Sequence, residues 1–206
     1  MALSVRDEPD EEVVAELEQA AARARGREAY AAAAAAMERA AKLTESAPER
    51  GRRLTDAAAD AWRAGLLPQA ARLVESAELL VDDVVLLASC YRLRGAIELA
   101  VGTSATAVPV LINAARRTAE IDPRRALELL ALASEGASLT DDPAAAATIA
   151  ELAGELDVGD EERDRFFAAL LVGFGHKSAG DADAANAAIR AAIVAAGNEV
   201  EDVDLL

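Results

Sequence analysis

The chain has 206 residues, of which 53% are hydrophobic and 3% aromatic, and its 37 acidic against 21 basic residues give a net charge of −16. Such a balance repels phosphate, so direct nucleic-acid binding and attachment to an anionic membrane surface are not expected. Cys90 is the single cysteine, which excludes an intramolecular disulfide framework and a cysteine-based zinc site.

Alanine carries much of the hydrophobic count, as in the runs Ala31 to Ala36 and Ala144 to Ala147. Alanine is the best helix former and buries little area per residue, so a core built on it needs closely packed helices. The breakers divide the chain into about ten helical stretches. Pro9 with Asp10, Glu11 and Glu12 makes an acidic first turn, and that helix reaches Arg25 before Gly26. The next stretches cover Glu28 to Leu43, Glu49 to Ala64 before Gly65, and Pro68 to Leu80. Asp82 and Asp83 cap a fifth helix that reaches Val101 before Gly102. Ser104 to Ile121, Pro123 to Gly136 and Pro143 to Leu156 follow. A ninth helix runs from after Asp160 to Ala179, and Asp181 opens the last, which ends near Gly197. No run of eighteen apolar residues marks a membrane span, and the acidic Met1 to Glu12 segment is unlike a signal peptide. The expected location is cytoplasmic.

The turns recur at a fixed interval. Gly26, Gly65 and Gly102 lie 39 and 37 residues apart, and Gly180 lies 78 beyond Gly102, two periods of 39. That places a missing turn near Asp141. A period of this length marks stacked helical hairpins. The residues around the turns recur too: Ala58, Ala70, Val74 and Ala77 around Gly65; Gly95, Ala107, Leu111 and Ala114 around Gly102; Gly173, Ala185, Ile189 and Ala192 around Gly180. A small residue seven before the turn, alanines five and twelve after it and a larger apolar residue nine after it resemble the tetratricopeptide pattern. The expected fold is all-α, a tetratricopeptide-like right-handed superhelical solenoid. It would have about five hairpins with turns near 26, 65, 102, 141 and 180, forming a single domain over residues 1–206.

Three stretches carry a further resemblance. PDEEVVAELEQAAARARGREAYAAAAAAMERAAKLTESAPERGRR (Pro9 to Arg53), YRLRGAIELAVG (Tyr91 to Gly102) and AARRTAEIDPRRALELLALASEGA (Ala114 to Ala137) are similar to the helical-repeat region of large ATP-binding LuxR-type, MalT-like transcriptional regulators of actinobacteria. The resemblance implies a repeat segment that senses or relays a signal between an ATPase module and a helix-turn-helix. This chain has neither a G-x-x-x-x-G-K-[ST] loop nor a basic recognition helix. Gly175-His176-Lys177-Ser178, the nearest string, lies inside a helix with no strand before it. The resemblance therefore implies a sensor segment whose ATP- and DNA-binding modules lie elsewhere.

Several side chains invite a chemical reading. His176, the only histidine, has no nucleophile or carboxylate placed by sequence to work with it, and a packed, hydrogen-bonded histidine is expected. The pairs Asp82/Asp83, Asp141/Asp142 and Asp181/Asp183 sit at helix starts, where carboxylates cap free N–H groups, and lack calcium-loop spacing. Arg23, Arg25 and Arg27 read as a solvated helix end, and Cys90 as a buried, inert thiol. Trp62, three before a turn glycine, is placed either on a concave groove or in inter-repeat core. In the same register Arg52, Arg92, Leu99, Phe174 and Lys177 lean toward that groove. An aromatic with cations there suits an acidic or C-terminal peptide.

No catalytic, cofactor or metal site is expected, and the chain is read as a non-enzyme. The expected function is a signal-sensing segment of a LuxR-type regulator, binding a protein, peptide or small effector. The alternative is a free-standing scaffold unrelated to transcription.

Overall fold

The computed structural model describes residues 11–195, which form ten α-helices and, among those residues, no strand. In chain order they are α1 (Glu11–Arg25), α2 (Tyr30–Lys42), α3 (Ala47–Arg63), α4 (Leu67–Glu78), α5 (Val84–Ala100), α6 (Ser104–Thr118), α7 (Pro123–Thr140), α8 (Pro143–Glu155), α9 (Glu162–Ser178) and α10 (Ala182–Ala195). The expected start at Pro9 and end near Gly197 lie outside the described residues. None of the described helices is long and apolar enough to cross a membrane. The chain divides into two compact units, residues 1–97 and 98–206, with the boundary inside α5.

The even-numbered helices begin at Tyr30, Leu67, Ser104, Pro143 and Ala182, at intervals of 37, 37, 39 and 39 residues. One turn geometry precedes each of them. Glu28, Gly65, Gly102, Asp141 and Gly180 all take positive φ, between 49° and 84°. The residue after each donates its N–H to the carbonyl five positions back: Ala29 to Ala24, Leu66 to Ala61, Thr103 to Glu98, Asp142 to Ala137 and Asp181 to His176, at 2.8–3.0 Å. This Schellman closure satisfies carbonyls that a helix end would otherwise leave open. The first such turn centres on Glu28, two residues past the expected Gly26, whose own N–H still reaches Ala22 O at 3.1 Å as in a helix.

In the first unit α1 packs on α2, α2 on α3 and α3 on α4. The core joins alanines 21, 33, 34, 57, 58, 61, 70 and 77, all fully buried, to Met37, Leu73 and Val74 of α2 and α4 and to Cys90, Leu93 and Ile97 of α5. Met37 and Leu73 are the largest fully buried side chains among these, and burying each contributes roughly 1.5–3 kcal/mol. Alternate helices also lie side by side. Glu38 of α2 accepts from Gln69 Nε2 (2.9 Å) and Arg72 Nη2 (3.1 Å) of α4, and Thr55 Oγ1 of α3 lies 3.2 Å from Cys90 Sγ of α5. Gly51 makes room for the α4–α5 connection, since a Cβ there would lie 2.8 Å from Val81 Cγ2 and 3.2 Å from Leu80 Cβ.

In the second unit successive helices from α6 to α10 pack on one another, and α7 also touches α9 and α6 touches α8. Small residues set these crossings. A Cβ on Gly173 of α9 would lie 2.9 Å from Ile189 Cγ1 of α10, and one on Gly175 would collide with Ala150 of α8. Gly136 was expected to end the seventh helix, yet α7 continues to Thr140. The reason is packing: a Cβ on Gly136 would lie 2.6 Å from Val108 Cγ2 of α6 and 2.9 Å from Leu99 Cδ2. Glycine inside a helix costs about 1 kcal/mol relative to alanine, here offset by close approach.

Candidate interaction surfaces

The α1 and α3 helices carry an ionic lattice. Asp60 is fully buried, and Arg25 meets it squarely: Nε donates to both carboxylate oxygens at 2.9 Å and Nη2 lies 2.7 Å from Oδ2. Arg63 approaches Asp60 Oδ1 at 3.6 Å and stacks over the Tyr30 ring with its Cζ 5.8 Å from the centroid. Glu18 accepts from Arg52 Nη2 (2.7 Å) and Arg53 Nε (2.9 Å). Burial acts to raise the Glu18 pKa, but the hydrogen bond from Arg52 and the charges of Arg53 and Arg52 outweigh it, and the net shift is downward. The Asp56 carboxyl moves the other way: burial pushes it up, aided by Asp60 and Glu18, against the pull of Arg52 and Arg25.

This lattice revises two readings of the sequence. Arg25 is not a solvated helix-end residue but the partner of a buried carboxylate. Arg52 is engaged by Glu18, by Glu49 at 3.2 Å and by Asp56 at 3.2 Å, so its charge is largely neutralised within the unit. Trp62 is half-buried and packs against the alanine-rich core. Arg92 is half-buried as well, with its Nε enclosed and without a hydrogen-bond partner.

The other three groove candidates belong to the second unit. Leu99 is half-buried and packs over Gly136. Phe174 is 43% exposed on α9 and borders a small cleft of about 40 Å3 shared with Ser134 and Ser138 of α7 and Ser178. Lys177 is exposed one turn after Phe174. Thus the sequence places Phe174 and Lys177 on one helix surface, while Arg52, Trp62 and Arg92 lie on the first unit. His176 is half-buried, with no hydrogen bond to its ring among the described residues, unlike the packed, hydrogen-bonded histidine expected.

In each pair of carboxylates at a helix start, one acts as a cap. Asp83 Oδ1 accepts from Leu86 N (2.8 Å), Asp142 Oδ1 from Ala145 N (3.0 Å) and Asp181 Oδ1 from Ala184 N (3.0 Å). Asp122, which sequence reading passed over, does the same for Arg125 N at 2.9 Å. Among the described residues no cluster of histidine, cysteine and carboxylate side chains could hold a metal ion. Cys90 is fully buried, and burial pushes its thiol up to about 11, so thiolate chemistry at neutral pH is suppressed.

Charge divides unevenly between the units. Residues 1–97 hold 13 basic against 17 acidic residues, and residues 98–206 hold 8 against 20. Within the second, more acidic unit lies a feature that sequence reading missed, a cavity of about 530 Å3 between α6 and α8. Its only trace in the sequence is Pro109, a proline inside a helix. No protein-family model matches the chain, and no curated protein does.

Proposed function

We propose that the chain is a non-catalytic, tetratricopeptide-like repeat segment of a LuxR-type transcriptional regulator. In this reading it binds a protein, peptide or small effector in the cytoplasm and relays that event to the ATPase and DNA-binding modules of the regulator. The observation that carries the repeat reading is the single turn closure recurring at Glu28, Gly65, Gly102, Asp141 and Gly180. Five copies of one hairpin closure at intervals of 37, 37, 39 and 39 residues are what a stacked array requires, because each hairpin buries its face only against its neighbours. The regulator reading draws its support from the resemblance of Pro9 to Arg53, Tyr91 to Gly102 and Ala114 to Ala137.

Two measurements test it. Small-angle scattering of the chain should give the elongated profile of a solenoid; a profile of two separately tumbling bodies would refute a continuous array. The natural reading frame should encode a nucleotide-binding module and a helix-turn-helix on the same polypeptide. Their absence would favour the free-standing scaffold.

A further inference from the structure

We propose that the cavity between α6 and α8 binds a short zwitterionic peptide, with a free ammonium group at one end and a free carboxylate at the other. The proposal rests on the effector-binding reading above and gives its ligand a chemical class. At about 530 Å3 the cavity has the size of small-molecule sites. Its floor is apolar, formed by Val108 and Ile112, both nearly fully buried, and the exposed Pro109 also lines it.

The two ends of the cavity differ in hydrogen-bonding character. Gly136, near the end of α7, lies against Ser104 and Val108 at the start of α6. The α7–α8 turn that follows therefore brings Asp141 and Asp142 to the N-terminal end of α6, where both line the cavity. Asp142 spends one oxygen on its helix cap, whereas the Asp141 side chain makes no hydrogen bond or ion pair among the described residues. Pro109 adds a third acceptor at the same end. It has no N–H, so the Ala105 carbonyl, which also lines the cavity, loses its ladder donor. This end offers acceptors and negative charge, the surroundings an ammonium group needs.

Arg116 marks the other end. It is eleven residues beyond Ala105 on the same face of α6, about 16 Å along a helix. It is exposed and makes no ion pair among the described residues. Glu120 and Glu155 border the adjoining cavity beside it, yet neither closes a salt bridge to it. Asn113, one turn earlier, adds a side-chain amide. An unpaired guanidinium in a unit of 20 acidic and 8 basic residues is set to take a carboxylate by its two-pronged N–H geometry. An extended peptide of four residues spans about 14 Å, which fits between the two ends.

Calorimetric titration of the whole chain tests this with two probes, L-leucine and a tetrapeptide of alternating alanine and leucine. The tetrapeptide is used uncapped, N-acetylated and C-amidated. The uncapped peptide should bind, and each cap should weaken it roughly ten- to hundredfold. Arg116→Gln should abolish the discrimination against the amide, and Asp141→Asn the discrimination against the acetyl group. Leucine carries its ammonium and carboxylate on one carbon and cannot reach both ends, so leucine binding as tightly as the peptide would overturn the proposal. No heat from the uncapped peptide, or equal binding of capped and uncapped peptides, overturns the proposal. The capping comparison on the unmodified chain decides the matter even if a variant fails to fold. Failure here leaves the scattering profile and the reading frame to judge the repeat-segment reading separately.

Discussion

Arg25 and Asp60, thirty-five residues apart, form a two-pronged ion pair in which the carboxylate is fully enclosed and the guanidinium one-third exposed. It ties α1 to α3. Removing the cation strands a buried charge, whereas replacing both groups removes the desolvation problem together with the attraction. Arg25→Met should therefore destabilise the chain by about 3 kcal/mol in urea denaturation, and Arg25→Met with Asp60→Leu by distinctly less. A double variant as unstable as the single one would mean that packing, not charge, sets the cost.

Acid should expose two opposed contributions. The Glu18 pKa is lowered in the folded chain from an ordinary 4.5, so its stabilisation is present above that value and fades as pH falls through the lowered one. The Asp56 pKa is raised from 3.8, so protonation there favours folding and the contribution is lost as pH rises through the raised value. Glu18→Gln should destabilise at pH 7, with the gap closing below about pH 4.5. Asp56→Asn should stabilise at pH 7, with its advantage shrinking toward pH 3.8. Denaturation curves at several pH values would show both slopes.

Turn geometry gives a cleaner pair. Glu28 holds φ at 56° with a full side chain, whereas Gly65 at 73° has nothing within 4 Å of where a Cβ would sit. Left-handed backbone costs a non-glycine residue about 1 kcal/mol. Glu28→Gly should raise the melting temperature, and Gly65→Ala should lower stability by about 1 kcal/mol. Equal and negligible effects would show that the turns relax freely.

At the helix crossings space is the limiting quantity. Gly136→Ala would force a methyl group to within 2.6 Å of Val108 and should cost roughly 1–3 kcal/mol. Gly65→Ala costs backbone strain instead, so the two should add within experimental error when combined.

Trp62 and Phe174 separate core from surface. Trp62→Ala should lose about 2 kcal/mol, less than a full core truncation because the ring is only half-buried. Phe174→Ala should change stability by less than about 0.5 kcal/mol, so any loss of partner binding would report the surface. A melting temperature unmoved by Trp62→Ala would return that residue to the groove.

Helix number and turn spacing were legible in sequence because glycine, proline and aspartate act locally. Gly65, Gly102 and Gly180 mark their turns by conformational freedom, and Asp83, Asp142 and Asp181 mark helix starts by capping. Glu28 was not legible, since its left-handed backbone is imposed by Ala29 bonding back to Ala24 rather than by its own preference. Gly136 misled for the opposite reason: it is there for its neighbours Val108 and Leu99, which no local pattern reveals. Register places Arg52 toward a groove; Glu49 and Asp56 on the same helix already lie within reach of it, but only the arrangement of α1 beside α3 shows that Glu18 occupies it as well. The α6–α8 cavity likewise depends on which helix ends meet.

The side-chain pairs between alternate helices join residues 31 to 40 positions apart: Glu38 with Gln69 at the near limit and Arg124 with Asp164 at the far one. Closing a chain segment of that length costs little more entropy than closing one half as long. Each hairpin can thus find its neighbour without waiting for distant parts of the chain, which favours rapid folding. Amide exchange should accordingly report opening by single hairpins, with protection rising from the outer helices toward the interior of each unit.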